Sequence, residues 1–198
     1  MKAYSVPGLT NNKELDIIYE WARTVPENGV IVELGSFFGR TAVAFAEGSH
    51  PSVKIYCVDY FDKWVSYLKP GDAPGDKPEE DFWELGKIFD KEQEFLKNTK
   101  DYKNIIPLKL KEGQMVYKYD KEPVDVLFVD SAHQNPSDIA NIMFFKKFVK
   151  RGGMICGHDY YDDKRFSDIG LNITLLERMF NTTVTLYKFT SLWSIRIK

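Results

Sequence analysis

The sequence predicts an α/β fold with a doubly wound, mostly parallel sheet of seven strands, helices on both faces and a C-terminal antiparallel strand pair. Short runs rich in Val and Ile alternate with turn residues and helical patterns, as in successive βαβ units. The last two apolar runs, 182–189 and 192–197, alternate like an antiparallel pair joined by a tight turn. The first observation predicts the parallel sheet, and the second predicts its final two strands.

The elements of the first half follow in order from the N-terminus. A first helix, with Asn11 or Asn12 as its candidate cap, is predicted from apolar residues at helical spacing: Leu15, Ile18, Tyr19 and Ala22. The first strand is 30–32, and the next helix starts within 39–48. The second strand is 53–58.

The second half repeats the same alternation. Its predicted strands and helices are, in order, strand 104–110, strand 124–129, helix 136–149, strand 154–157 and helix 171–180. The run 124–129 has almost no polar interruption, which is typical of a central parallel strand. The helix 136–149 is expected to stop at Arg151-Gly152-Gly153 and to turn four apolar residues to the core: Ile139, Met143, Phe144 and Phe148.

One segment is too long for a plain crossover, because about 45 residues separate the second and third strands. It contains a turn-rich stretch, 70–81, and then a helix predicted from four residues on one face: Phe82, Leu85, Phe89 and Leu96. We therefore expect a single domain over 1–198 with an insertion at about 62–100. The part from 64 to 95 is either a lid over the site or an ordinary surface loop.

Composition excludes several classes of function. The 27 basic and 29 acidic residues give a net charge of −2, without the basic cluster that nucleic-acid binding needs. Cys57 and Cys156 lie in apolar runs and are expected to be reduced core residues. No signal peptide and no run of 18 apolar residues is found, so a cytoplasmic protein without membrane contact is expected.

Acidic residues follow the apolar runs at the edge where doubly wound sheets bind ligands. They are Glu33, Asp59, Asp130 and Asp159. One acid at a strand end is commonly a helix cap or a solubilising residue. Four of them at successive strand ends favour a binding site.

The loop after the first strand, 32–41, carries two glycines at which the backbone can turn sharply and approach a ligand. These are Gly35 and Gly39, and the helix that starts beside Gly39 presents free N–H groups to an anionic group. Ser36 and Phe37 occupy the place of the second early glycine of dinucleotide-binding loops. The loop therefore suits an amino-acid moiety better than a pyrophosphate.

Asp59 stands 24 residues beyond Gly35, at the end of the second strand. A carboxylate at this point can accept both hydroxyls of a ribose, as the acid about 20 residues on does in dinucleotide-binding folds. Tyr60 and Phe61 follow and either flank an adenine ring or pack in the core.

Four segments together resemble the class I S-adenosylmethionine-dependent methyltransferases: VELGSFFGRT, CVDYFD, VDVLFVDSAHQNPSDI and KRGGMICGHDY. More narrowly, they resemble the small-molecule O-methyltransferases related to the macrocin and rhamnosyl enzymes. The order and spacing match from about 30 to 160, and the closing strand pair is the usual finish of this Rossmann-like fold.

The resemblance implies which residues meet the cofactor. Glu33 and Gly35 would lie under its methionine part, Asp59 would hold the ribose, and the turn with Gly113 and Gln114 would meet the adenine. The full set of implied cofactor contacts is Glu33, Gly35, Ser36, Gly39, Asp59, Tyr60, Gly113, Gln114 and Asp130.

The resemblance also implies a magnesium ion at Asp130 and Asp159, since Mg²⁺ prefers carboxylate oxygens. The chain departs from the family pattern, because Asp130 is followed by Ser-Ala-His and the neighbours of Asp159 are His158 and Tyr160. Two carboxylates with water could hold Mg²⁺ weakly, or His133 or His158 could complete a softer site. Without a metal, the two acids would orient loops and acceptor by hydrogen bonds.

The implied reaction is methyl transfer to a hydroxyl of a small metabolite or sugar, with His133 or Asp159 as base and no nucleic-acid partner. His133 is otherwise a helix-entry residue, and His158 has the same two interpretations. A homodimer is implied by the resemblance alone. Two rival functions stay open: a catalytically silent binding protein on this fold, and an NAD-dependent oxidoreductase.

Overall fold

The computed structural model describes residues 1–65, 86–110, 122–131, 137–160 and 169–198, and of residues 137–138 and 169–173 only the backbone. After a short 3-10 helix (Lys2–Ser5), its helices are α1 (Asn12–Arg23), α2 (Arg40–Gly48), α3 (Lys91–Thr99), α4 (Ser137–Lys146) and α5 (Ile169–Phe180). The strands are β1 (Val30–Leu34), β2 (Lys54–Asp59), β3 (Lys63–Val65), β4 (Ile88–Asp90), β5 (Ile105–Lys109), β6 (Val124–Val129), β7 (Val149–Gly157), β8 (Thr185–Leu186) and β9 (Trp193–Arg196).

Seven strands form one sheet in the order β5-β2-β1-β6-β7-β9-β8. The first five in this order are parallel, and β9 pairs antiparallel with both β7 and β8. The predicted fold class and the C-terminal antiparallel pair are thus confirmed. The strand order reverses between β1 and β6, where Leu34 pairs with Val129. The carboxyl ends of these two strands therefore form the crevice of the sheet.

The sheet carries an apolar core on each face, because alternate side chains of its strands point to opposite sides. Ile31 and Val126 belong to the core under α1, α2 and α3. Val32 and Leu127 belong to the core under α4 and α5. Cys57 and Cys156 are buried free thiols in the first core, as predicted. Within the described residues, no helix is both long and apolar enough to cross a bilayer.

Helix α1 begins at a capping box, in which the Asn11 side chain and the Glu14 side chain each accept the other residue's backbone N–H. The segment before it is fixed by Arg40, which is buried at the start of α2. The Arg40 guanidinium donates to the Thr10 carbonyl at 2.8 Å and also to the Val6 carbonyl. Since this side chain points to the N-terminal segment, it does not extend over the ligand crevice.

The predicted helix end at Arg151-Gly152-Gly153 is wrong. Helix α4 already ends at Lys146, and these three residues lie inside β7, where the pairing with β6 shifts between Val124 and Val126. Gly152 has a φ of +79°, a conformation that glycine adopts readily at a strand bulge. The glycine that the sequence assigned to a helix stop therefore lies in a bulge of β7. Of the four residues predicted to face the core here, only Met143 is exposed, and the other three are partly buried against that core: Ile139, Phe144 and Phe148. The fully buried apolar residues of α4 are Ile142 and Phe145.

The predicted helix through Phe89 is wrong as well. Phe89 lies in β4, which pairs antiparallel with β3, and α3 begins after Asp90, whose side chain accepts the Gln93 N–H. Leu96 is half exposed, and Phe95 is the buried residue of α3. The backbone N–H and C=O groups of β4 find hydrogen-bond partners in β3, and this pairing outweighs the helical spacing of the apolar residues. Phe82, Leu85 and the stretch 70–81 lie outside the described residues.

Candidate active site

The turn after β1 is held against the end of β6 by backbone contacts. The Asp130 amide donates to the Leu34 carbonyl at 2.8 Å, and the Gly35 amide donates to the Val58 carbonyl at 2.8 Å. Gly35 has a φ of +88°, and a Cβ at this residue would lie 1.8 Å from the Asp130 carbonyl oxygen. Only glycine fits such a position. The first predicted glycine therefore joins the two strands that border the crevice.

Asp59 lies at the same edge and anchors the loop after β1. Its Oδ2 accepts the amides of Ser36 at 3.1 Å and Phe37 at 2.9 Å. Its Oδ1 accepts the Phe61 amide at 2.9 Å and the ammonium group of Lys91 at 3.1 Å. A carboxylate offers about four acceptor positions, so protein donors occupy the acid that the sequence assigned to a ribose.

Lys91 is a residue beside Asp59 that the sequence analysis did not predict for the site. It is the first residue of α3, and its ammonium group also lies 2.5 Å from Asp62. Burial alone would lower the pKa of Lys91, but the carboxylates of Asp59 and Asp62 outweigh it and raise that pKa. No spacing in the sequence signals this contact, because Lys91 lies inside the insertion, 32 positions beyond Asp59.

Glu33 is fully buried in β1, and neither of its carboxylate oxygens has a hydrogen-bond partner among the described residues. Burial raises the pKa of Glu33 to about 8, and the charges of Asp130 and Asp59 add to the shift. The Ser36 hydroxyl and the Cys57 thiol are near enough to offset a part of it, but neither makes a well-formed hydrogen bond to the carboxylate. The Ser36 hydroxyl is likewise buried and without a partner there.

Gly39 precedes helix α2, as predicted, and the two aromatic residues after Asp59 have different surroundings. A Cβ at Gly39 would lie 2.8 Å from the Thr99 methyl carbon, so this glycine permits close packing of α2 on α3. Phe61 is buried with its ring centroid 4.9 Å from that of Phe95, as the core interpretation predicted. Tyr60 is exposed at the edge.

A cluster of aromatic rings that the sequence analysis did not predict lies beside the loop after β1. Phe37 stacks on the buried Phe38, with ring centroids 4.0 Å apart. Trp64 of β3 meets Phe37 edge-on at 5.1 Å, and Phe89 of β4 lies 5.5 Å from Phe38. The antiparallel strand pair β3–β4 of the insertion is therefore packed against the predicted cofactor loop.

Asp130, His158 and Asp159 form a second cluster at the ends of β6 and β7, in which one ligand atom of each residue lies within 4.8 Å of the others. The His158 Nδ1 is 3.1 Å from Asp159 Oδ1 and 4.0 Å from Asp130 Oδ1. Asp159 has a φ of +61°, in the left-handed region that non-glycine residues seldom adopt. The structure thus brings the two predicted acids together and adds His158 between them.

The inner side of His158 contacts two buried residues from distant parts of the chain. Its Nε2 is 2.8 Å from the Ser191 hydroxyl and 3.2 Å from Glu14 Oε2. Glu14 Oε1 accepts both the amide and the hydroxyl of Ser191, each at 2.9 Å. The sequence indicated only a helix cap at Asn11 or Asn12, and nothing in the spacing placed Glu14 or Ser191 at this edge.

These contacts determine two pKa values. Burial would lower the pKa of His158, but Asp130, Asp159 and Glu14 outweigh it and hold that pKa well above its ordinary value. Burial would raise the pKa of Glu14, but its hydrogen bonds with His158, Ser191 and Asn11 lower that pKa to about 2. Glu14 is therefore a carboxylate throughout the physiological pH range, and the histidine that it faces also lies beside Asp130 and Asp159.

Three predicted site residues are not placed by the structure. His133, the predicted base, and Gly113 and Gln114 of the predicted adenine turn lie outside the described residues. Of the others, Glu33, Gly35, Ser36, Asp59 and Asp130 share the edge around the β1–β6 crevice, and Asp159 adjoins Asp130.

This strand order, with a glycine turn after β1 and acids at the ends of β1, β2 and β6, defines the fold of the class I methyltransferases. The chain belongs to a methyltransferase family, since a family model described as a methyltransferase domain matches residues 32–160. The matched span runs from β1 to the residue after Asp159 and contains both halves of the crevice. The predicted class of protein, an enzyme that transfers methyl groups, is confirmed.

Solved structures share the fold at low sequence identity. An O-methyltransferase from Bacillus cereus in complex with SAH aligns at a TM-score of 0.64 and 15% identity, covering 99% of this chain and 86% of its own. TomG from Streptomyces achromogenes is an O-methyltransferase involved in tomaymycin synthesis that was solved with SAM. It aligns at a TM-score of 0.65 and 12% identity, covering 100% of this chain and 88% of its own. An rRNA methylase from Streptococcus thermophilus aligns at a TM-score of 0.59 and 11% identity, covering 93% of this chain and 97% of its own. No curated protein matches the chain.

Proposed function

We propose that this protein transfers the methyl group of S-adenosylmethionine to a hydroxyl group of a small molecule. The observation that carries the proposal is the buried carboxyl group of Glu33, whose oxygens have no hydrogen-bond partner among the described residues although they lie at the reversal of the strand order. Native proteins rarely keep such a group without a function. A cofactor with a cationic amino-acid part would supply the missing partners.

The loop after β1 fits the same cofactor. The Gly35 turn leaves the edge of the crevice without a side chain, and the partnerless Ser36 hydroxyl lies beside it. Asp59 is the proposed acceptor of the ribose hydroxyls. For this to happen, Lys91 would give up Asp59 Oδ1 and keep its contact with Asp62, which lies 2.5 Å away. When bound, the cofactor supplies an electrophilic methyl group on a sulfonium leaving group.

The cluster at the ends of β6 and β7 is the proposed acceptor side. Without a metal, Asp159, whose side chain is 18% exposed, is a proposed base for the proton of the acceptor hydroxyl. His133 is the other proposed base. Asp130, His158 and Asp159 offer oxygen and nitrogen atoms that fit a divalent cation, which when bound would lower the pKa of an acceptor hydroxyl.

A small-molecule acceptor is supported by charge and by the family resemblance. The net charge of −2 offers no general attraction to a polyanion, which disfavours an RNA acceptor even though one structural neighbour is an rRNA methylase. The Bacillus cereus and Streptomyces neighbours are O-methyltransferases by description, and they share this fold.

Calorimetric titration with S-adenosylhomocysteine tests the cofactor site. We expect micromolar binding of one molecule per chain, and at least a tenfold loss of affinity in Asp59→Ala. Because Asp59 also anchors the loop, each protein is titrated with the 2′-deoxyribose analogue as well. If Asp59 holds the ribose, Asp59→Ala loses much less affinity for the analogue than for the parent compound.

The matched control is Glu92→Ala, which removes an exposed carboxylate next to Lys91 that pairs with Lys109 and leaves Asp59 and Asp62 in place. It is expected to bind S-adenosylhomocysteine within about threefold of the parent protein, because an exposed ion pair contributes little. Absence of binding by the parent protein would contradict the proposed function. Binding without turnover of a panel of hydroxylated acceptors would favour a catalytically silent protein instead.

A further inference from the structure

The cluster at the ends of β6 and β7 contains a histidine whose two ring nitrogens face different surroundings. Nδ1 faces Asp159 and Asp130, and Nε2 faces Glu14 and Ser191. A histidine that ligates a metal through one nitrogen usually donates the other N–H to a carboxylate, which fixes its tautomer and ring orientation. Glu14 is such a carboxylate, buried and 3.2 Å from Nε2.

The spacing of the three facing atoms suits one cation. Metal–ligand bonds of about 2.1 Å place neighbouring ligand atoms roughly 3.0 Å apart and opposite ones roughly 4.2 Å apart. The His158 Nδ1 lies 3.1 Å from Asp159 Oδ1 and 4.0 Å from Asp130 Oδ1. No two of the three ligand atoms are more than 4.8 Å apart, so a small closure around an ion would complete the geometry.

Charge and access also favour a cation here. Three carboxylates surround one imidazole, and the inner one, Glu14, has only 4% of its side chain exposed. Asp130 and Asp159 retain 21% and 18% exposure, so solvent and a small ion can reach the outer side of the cluster. The inner side is fixed by Glu14 and Ser191, which hold the imidazole at this edge.

We propose that Asp130, His158 and Asp159 form a mixed nitrogen–oxygen site for a first-row transition ion, with Glu14 as the residue that orients His158. Imidazole nitrogen suits ions such as Co²⁺ and Zn²⁺, whereas Mg²⁺ prefers oxygen ligands alone. The histidine beside Asp159 therefore shifts the preference of the site away from Mg²⁺. The inference rests on the proposed function for the role of this edge, while ion binding itself requires no methyl transfer.

Titration of the chelator-treated full chain with Co²⁺, Zn²⁺ and Mg²⁺, each alone, tests the preference. We expect one Co²⁺ or Zn²⁺ per chain, bound at least about 100-fold more tightly than Mg²⁺. Electron spin-echo spectroscopy of the Mn²⁺-loaded chain is expected to show coupling to one histidine nitrogen, identified by labelling histidine with ¹⁵N. Equal affinity for Mg²⁺, no bound ion, or bound Mn²⁺ without nitrogen coupling would each overturn the proposal.

Two variants separate the ligand from the residue that orients it. His158→Asp replaces nitrogen by oxygen and is expected to abolish the nitrogen coupling and to narrow the difference between Co²⁺ and Mg²⁺. Glu14→Gln keeps the size of the side chain and is expected to weaken Co²⁺ binding by about 10–100-fold, as loss of an orienting carboxylate does. His50→Ala, at an exposed histidine beside Ser52, is the control and should change neither measurement.

The two proposals can fail separately. If S-adenosylhomocysteine binds and Co²⁺ does not, the metal site is wrong and the methyltransferase site stands. If Co²⁺ binds through a histidine nitrogen and S-adenosylhomocysteine does not, the proposed function is wrong and the metal site stands. Should His158→Asp fail to fold, as judged by circular dichroism, the ¹⁵N-labelled His50→Ala and His133→Ala chains decide the question, because nitrogen coupling that persists in both must come from His158, the third histidine of the chain.

Discussion

The two sides of the carboxyl edge contain the same kind of buried group with opposite properties. Glu33, on the β1–β2 side, and Glu14, beside β7, are both buried carboxylic acids. The pKa of Glu33 is raised to about 8, whereas the pKa of Glu14 is lowered to about 2. The difference lies in their partners, because Glu14 meets His158, Ser191 and the Asn11 amide, and Glu33 makes no hydrogen bond among the described residues.

The comparison shows that partners, rather than burial, decide whether a buried acid is charged. The carboxylate of Glu14 has all its hydrogen-bond partners within the protein and serves as framework for His158. The carboxyl group of Glu33 lacks such partners among the described residues. A buried polar group without hydrogen bonds destabilises the fold, and proteins commonly keep such a group only where function needs it. Four variants test this contrast, beginning with the residue at which the two sides meet.

Gly35→Ala is expected to have the largest effect. Its Cβ would lie 1.8 Å from the Asp130 carbonyl oxygen, and its φ of +88° disfavours any other residue. Backbone strain of about 1–2 kcal/mol and overpacking of about 1–3 kcal/mol add to a loss of up to about 5 kcal/mol. Urea unfolding measures the loss. Gly152→Ala is the control, because Gly152 has a similar φ but nothing within 4 Å, so it should lose only the strain.

Glu33→Gln is expected to stabilise the protein in alkaline solution. The folded-state pKa of about 8 exceeds the ordinary 4.5, so the parent chain loses stability as the pH rises from about 4.5 through about 8. The variant lacks this loss and should be more stable by on the order of 4 kcal/mol at pH 8 and nearly equal at pH 5. Thermal melting at both pH values checks it. Glu92→Gln, at an exposed carboxylate, should show no such divergence.

Glu14→Gln should give the opposite sign. The folded-state pKa of about 2 lies below the ordinary 4.5, so the carboxylate stabilises the parent chain above about 4.5 and this stabilisation is lost as the pH falls through about 2. The variant should therefore be less stable by about 3 kcal/mol at pH 7, with the difference shrinking in acid. Urea unfolding at pH 7 and pH 3 measures this. An equal difference at both pH values would contradict the assigned charge.

The control for Glu14→Gln lies on the same helix. Glu20→Gln removes an exposed carboxylate of α1 that pairs with Arg23, and it should change stability by less than about 0.5 kcal/mol at either pH.

Lys91→Met is expected to have the smallest of the four effects. The variant leaves Asp59 its three amide donors but removes the cation at Oδ1, and loss of a hydrogen bond between charged groups of this burial costs about 2 kcal/mol. Chemical unfolding at neutral pH checks the value. Lys97→Met breaks an exposed pair with Glu94 on the same helix and should cost only a few tenths of a kcal/mol.

The order of the elements was predictable from the sequence because it depends on local periodicity. The strands β1, β2, β5 and β6 were each predicted to within two residues at either end, since buried parallel strands are nearly continuous apolar runs. The errors lie where long-range pairing overrides a local pattern. The glycines of β7 form a bulge against β6, and Phe89 belongs to a strand that pairs with β3 across the insertion.

The candidate site divides in the same way. By itself the sequence determined the fold class and the acids at the strand ends, because the carboxyl ends of parallel strands must meet at one edge. The class of enzyme followed from the resemblance of four of its segments to the class I methyltransferases. Only the tertiary structure decided which partners each acid has: Lys91 at Asp59, none at Glu33 among the described residues, and His158 between Asp130 and Asp159. Glu14 and Ser191, 177 residues apart, meet at His158 because helix α1 and the C-terminal hairpin converge there. Side-chain partners depend on such long-range packing, which local periodicity in a single sequence does not specify.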